Sequence, residues 1–210
     1  MEAPATRPGA TRSAIPFKTR KTASTQKAPA QKAYRMNPLE LLPPLFRPIV
    51  ARHLEYARQQ LESGKDVETF FVVGNAREKT FIRVPVDTSN EEAKEASAAH
   101  ARMIAKTTDA DFFLFLCEAW TVREKDLPHI DAILGRYGTL AAYPGRIDVL
   151  TIGLETRYGR WIGQAQATPM PPSKRKRALG KLVITAGGET RGRFGNIIDL
   201  EPELARGHLH

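Results

Sequence analysis

The sequence predicts an α+β fold: a single domain over residues 37–205, built on a largely antiparallel sheet of six or seven strands with helices packed mainly on one face. A basic, disordered arm over residues 1–36 precedes it. Three observations carry this expectation. Six or seven short apolar segments are bounded by turn residues and read as strands. Two other segments repeat their apolar residues at three- and four-residue steps, as helices do. Hairpin-length links join strands on both sides of one helix, so the regular strand–helix alternation of a parallel sheet is missing.

The arm holds Arg7, Arg12, Lys18, Arg20, Lys21, Lys27, Lys32 and Arg35 against one acid, Glu2. Of the chain's formal charge of +9, residues 1–35 therefore carry +7 and the remainder +2. With Ile15, Phe17 and Tyr34 as its only sizeable apolar groups, the arm cannot offset its own ordering entropy. It lacks the apolar core of a secretory signal, and Pro4, Pro8, Pro16 and Pro29 would break the amphipathic helix of a mitochondrial transit peptide.

Past the arm, Pro38, Pro43, Pro44 and Pro48 delay regular helix until about residues 44–48. Ile49, Val50, His53, Leu54, Ala57 and Leu61 then form one stripe, and Gly64 ends it. His53 has no second His or acid at i+4, so it reads as a helix-surface histidine and not a ligand. Strands at 67–73 and 80–86 pair as a hairpin, with Pro85 placing the second at an edge. Capping boxes at Thr88–Glu91 or Ser89–Glu92 open the next helix, whose expected apolar face is Ala93, Ala96, Ser97, His100, Met103 and Ile104. The nearly unbroken apolar run at 110–122 is the expected central strand, covered on both faces. An insertion at 123–145 contains a short helix opened by Pro128 and closed by Gly138, then a type II turn at Tyr143–Arg146. Strands follow at 147–155, 160–167, 179–186 and, briefly, 194–200.

Cys117 is the only cysteine, which excludes an intrachain disulfide and a Cys-rich zinc site; its apolar neighbours predict a buried packing thiol. No apolar run approaches the ~18 residues of a membrane span, so the expected setting is the cytoplasm, or the nucleus or an organelle in a eukaryotic host.

Two constellations bear on chemistry. The first is cationic: Arg12, Lys18, Arg20, Lys21, Lys27 and Lys32 on the arm, with Lys174, Arg175, Lys176 and Arg177 on a Pro-rich loop. Lysine and arginine bind nucleic acid chiefly by neutralising phosphates, which needs neither a motif nor fixed spacing. Tyr158, Arg160 and Trp161 on the adjoining hairpin would supply stacking. The loop also has the composition of a nuclear import signal. The second is an acid/base set, His100, Glu118 and Asp148, weighed against the simpler reading that Glu118 interrupts an apolar row to pair with Arg123, Arg146 or a backbone group. Asp148 and Glu155 echo the acids of a metal-dependent nuclease, but seven residues apart on one strand they point to opposite faces. No phosphate-cradling glycine loop or nucleophile elbow is present, and His208 and His210 sit at a terminus, so no cofactor and no metal are expected.

The segments Phe113-Leu-Phe-Leu-Cys-Glu118-Ala-Trp120-Thr-Val and Tyr143-Pro-Gly-Arg-Ile-Asp148-Val-Leu, followed by Trp161, resemble small uncharacterised α+β proteins of bacteria and their phages over roughly residues 66–167. That resemblance brings no activity or site; it implies a mobile-element or accessory protein, phage or bacterial, and not a metabolic enzyme. The expected function is non-enzymatic binding of nucleic acid, or an acidic protein surface, without sequence readout. A protein-interaction or inhibitor module acting through a sheet edge or the 123–145 insertion is the second expectation. A hydrolase using His100, Glu118 and Asp148 is the third.

Overall fold

The computed structural model describes residues 37–187 and 193–200. The arm with its six candidate cations, the glycines at 188 and 192, and the terminal histidines lie outside them. Pro48 occupies the first turn of α1 (Arg47–Glu62), where a missing N–H costs nothing. The helix ends at Gly64 (φ +80°): Gly64 N–H bonds to Leu61 O and Lys65 N–H to Gln60 O, both at 3.0 Å, closing the last turn in a Schellman motif.

Seven strands form one antiparallel, curled sheet: β1 (Phe70–Asn75), β2 (Thr80–Pro85), β3 (Phe112–Thr121), β4 (Ile147–Thr156), β5 (Gly159–Pro169), β6 (Arg177–Leu179) and β7 (Val183–Ala186). The order is β2-β1-β3-β4-β5-β6, with β7 also on β5. The expected 179–186 strand is thus two, broken at Gly180, whose N–H turns back to Gln166 O at 2.8 Å. In the first hairpin, a Cβ at Gly74 would stand 2.2 Å from Thr80 O, so only glycine fits there.

Alternation divides β1 between two cores. Phe70 and Val72 face one side with Leu114, Leu116, Leu150, Ile152 and Leu154, and α1 fills that side with Val50, Ala57 and Leu61. Phe71 and Val73 face the other side with Phe113, where α2 (Glu91–Thr107) lays Ala101, Ile104 and Ala105 on them. The fold class is the one expected, but the two long helices take opposite faces of the sheet. That distribution supplies the two-sided cover which the apolar run of β3 requires.

The α2 register differs from expectation in two ways. Its N-cap is Asn90, accepting Ala93 N–H at 2.8 Å, because Asp87 Oδ1 already takes Ser89 N–H in a turn and moves the start one residue on. Its buried residues are Lys94, Ala98, Ala101, Ile104 and Ala105, which leaves His100 and Met103 in solvent. The 123–145 insertion is a chain of short turns around α3 (Ile130–Tyr137), with Leu140 reaching the interior. Arg146 N–H bonds to Tyr143 O at 3.2 Å, so a turn closes at the expected place. Gly145 does not take the positive φ that a type II turn requires at its third position, and the expected turn type is not formed.

Candidate nucleic-acid interface

Residues 170–176 link β5 to β6, and the loop is tightly built. Met170 N–H bonds to Lys176 O at 2.9 Å and Ser173 N–H to Met170 O at 3.0 Å. Ser173 Oγ then accepts Arg175 N–H at 3.2 Å and Lys176 N–H at 3.1 Å, a turn that serine's short hydroxyl favours. The loop lies against the end of α1, where a Cβ on Gly64 would be 3.3 Å from Arg175 Cβ and 3.5 Å from Lys176 Cγ. Helix C-termini carry partial negative charge, so cations are favoured at this place.

Lys174, Arg175 and Lys176 are exposed, and among the described residues no carboxylate pairs with them. Exposed Lys65, next to Gly64, joins the same patch. Arg177 does not. Its side chain turns inward and donates from both terminal nitrogens to Glu118, and from Nη2 also to Asp66 Oδ1 at 3.0 Å. A buried guanidinium needs such partners, so Arg177 is removed from the expected phosphate-binding set and becomes part of the interior. Burial works against its charge, but the hydrogen bonds and charge of Glu118, with Asp66 and Asp148 adding, outweigh it and hold its pKa above the ordinary value.

Glu118 is therefore a structural carboxylate. Besides Arg177 it accepts Val67 N–H at 2.6 Å, so the backbone partner expected for it is present, whereas the arginine comes from 59 residues away instead of position 123 or 146. Asp148 lies on the same sheet face, two residues from Leu150, which pairs with Glu118. His100 does not join them: it is exposed on α2, across the sheet. The acid/base set His100, Glu118 and Asp148 is not assembled, because the phase of α2 and the parity of β3 send its members to opposite sides.

Asp148 and Glu155 do occupy opposite faces. Glu155, 2% exposed, accepts the successive N–H groups of Asn196, Ile197 and Ile198 at 3.0, 2.8 and 3.4 Å, and Arg160 Nε lies 3.6 Å away. Three consecutive N–H groups converging on one carboxylate need Asn196 at φ +57°, which is why 194–200 forms no strand. The segment is held as a strap, with Phe194 stacked 4.8 Å from Phe115.

The stacking trio is likewise turned inward. Tyr158 and Trp161 pack on the α1 core, at the end of β5 opposite the basic loop. Among the described residues no three His, Cys, Asp or Glu side chains converge as metal ligands, and no helix is long and apolar enough to cross a membrane. Cys117 is buried, and burial with the charge of Glu118 beside it pushes its thiol up to about 12. The cavity lined by Leu42, Val50, Ile152, Leu154, Trp161, Gly163 and Ile184 has about 10 Å³ free, room for at most one water.

Sequence reasoning missed Asp111 and weighed Glu155 only as a metal ligand; both are buried acids that hold a backbone turn, Asp111 by accepting Ala76 N–H at 2.7 Å. Their only signal is an acid inside or beside an apolar strand, the same one that singles out Glu118. No family model matches the chain, and neither a curated protein nor a solved structure is similar to it.

Proposed function

We propose that the protein binds nucleic acid through the phosphate backbone, without sequence readout, using Lys174, Arg175 and Lys176 with Lys65 beside them and the cations of residues 1–36. The supporting observation is the placement of three neighbouring cations on an ordered, exposed loop, none of them in an ion pair among the described residues, with the Asp66 carboxylate held by Arg177 at the loop's base. An acidic protein surface is the competing partner, but few apolar anchors adjoin the patch; exposed Met170 is the nearest in sequence. Titration of the full chain with mixed-sequence duplex DNA across salt concentrations tests the reading, with poly-glutamate as the acidic-protein control. Affinity falling steeply with salt, and stronger for DNA, supports it; binding that favours poly-glutamate transfers the patch to acidic proteins.

A second reading is favoured by the opposite end of the sheet. β2 is an edge strand with Phe81 and Ile82 exposed on its two faces. Val86 N–H bonds to Thr69 O at 2.9 Å, so by alternation the N–H groups of Phe81 and Arg83 point outward, while Pro85 offers none. A partner strand would meet a short, partly blocked edge. Co-purification of one defined partner at high salt would favour this edge over the basic loop.

A further inference from the structure

The basic loop carries three exposed cations, but the group that fixes its base is the buried fourth. β6 is only three residues long, sits at the end of the sheet order, and meets Pro169, which has no N–H to give, at the pair nearest the loop. Such a ladder holds a loop weakly. Arg177, the first residue of β6, makes up the difference with its fork. One side reaches Glu118 on β3, in the middle of the sheet, and the other reaches Asp66 and the carbonyl of Lys65 at 3.5 Å, in the link between α1 and β1. Glu118 is itself tied to that link by Val67 N–H. One guanidinium thus binds together the loop, the central strand and the segment that carries Lys65.

We infer that Arg177 and Glu118 are positioning residues for the phosphate-binding patch, holding Lys174, Arg175 and Lys176 against the end of α1 so that they and Lys65 act as one surface. This rests on the nucleic-acid reading above. Neither residue touches the ligand. Cations already ordered lose less side-chain and loop freedom when a phosphate backbone binds, and that saving is what the pair contributes. Lysine at position 177 would keep the charge but not the fork, because an ammonium is a point donor.

The sign of the effect separates positioning from bulk electrostatics. Glu118→Gln removes a negative charge, and Arg177→Lys changes none, so charge alone predicts tighter or equal binding to a polyanion. Positioning predicts that both bind mixed-sequence duplex DNA roughly tenfold more weakly than the parent at the same salt. A third full-length variant with Lys174→Ala, Arg175→Ala and Lys176→Ala tests the underlying reading: if it binds as the parent does, the nucleic-acid assignment of the loop fails. If it weakens while Glu118→Gln and Arg177→Lys bind unchanged, only the positioning inference is overturned. Should either positioning variant fail to fold, amide exchange in the parent decides. Arg175 and Lys176 amides exchanging together with those of residues 177–179 support the inference, and exchange as fast as in an unstructured peptide contradicts it.

Discussion

Arg177 and Glu118 show how one buried pair can be costly to break and of small net value. Taking both charges out of water is expensive, and their attraction offsets that cost only while each keeps its partners. Arg177→Met, leaving Glu118 buried without its guanidinium, should lower the unfolding free energy by about 3–5 kcal/mol in urea denaturation. Replacing both residues by leucine should cost much less, and a double variant as unstable as the single one would contradict the pairing. Glu155→Ala should cost about 1–3 kcal/mol, because the N–H groups of residues 196–198 are left without their acceptor, and should raise amide exchange at those residues before the sheet opens. Cys117 gives a pH prediction of definite sign. The folded chain keeps the thiol proton to about 12, whereas an unfolded chain releases it near the ordinary value of 9, so the unfolded state gains as pH rises from about 9. Cys117→Ala should remove that part of the alkaline loss of stability. A native thiol that reacts readily with a disulfide reagent at neutral pH would show the burial to be wrong.

At the scale of the element, α2 is the clearest test of packing. Ala98, Ala101 and Ala105 are buried on this helix, and Ala101 and Ala105 let it lie close on Phe71, Val73 and Phe113. Ala101→Leu should therefore destabilise by about 1–3 kcal/mol through overpacking, while Met103→Ala, in solvent, should change little. Equal effects would contradict the observed phase. That phase was hard to read because alanines occur all around the helix, so apolar counting does not choose a face. Lys94 also misleads: its stem lies buried while its ammonium reaches Glu91 at 2.7 Å, a snorkelling that a polar/apolar code records as surface. The first hairpin, the end of α1 at Gly64, the position (though not the type) of the Tyr143–Arg146 turn and the core run of β3 were legible because each has a local cause. Arg177 was not. Within Lys-Arg-Lys-Arg177 nothing marks the last cation as buried, since its partner is 59 residues away and register alone brings them together. The strap at 194–200 was misread for the same reason: Ile197 and Ile198 suggest a strand, but Glu155 claims their N–H groups.

For the whole molecule, the curled sheet separates two kinds of surface. One end presents the β2 edge, with Arg83 stacked over Tyr56 and Phe70 and bridged to Glu68 at 3.2 Å. The other brings the α1 terminus and the β5–β6 loop together under one cationic patch. Residues 36–210 carry only +2 in total, so this patch is a local concentration of charge on a nearly neutral body. Local concentration is what counterion release responds to, and it sets the measurement that bears most directly on the account. The salt dependence of duplex DNA binding should be steep for the full chain, and combined alanine substitution of Lys174, Arg175 and Lys176 should flatten the log K against log salt slope by about 0.9 for each phosphate that is no longer neutralised. A slope unchanged by those three substitutions would contradict the assignment of this loop to nucleic acid.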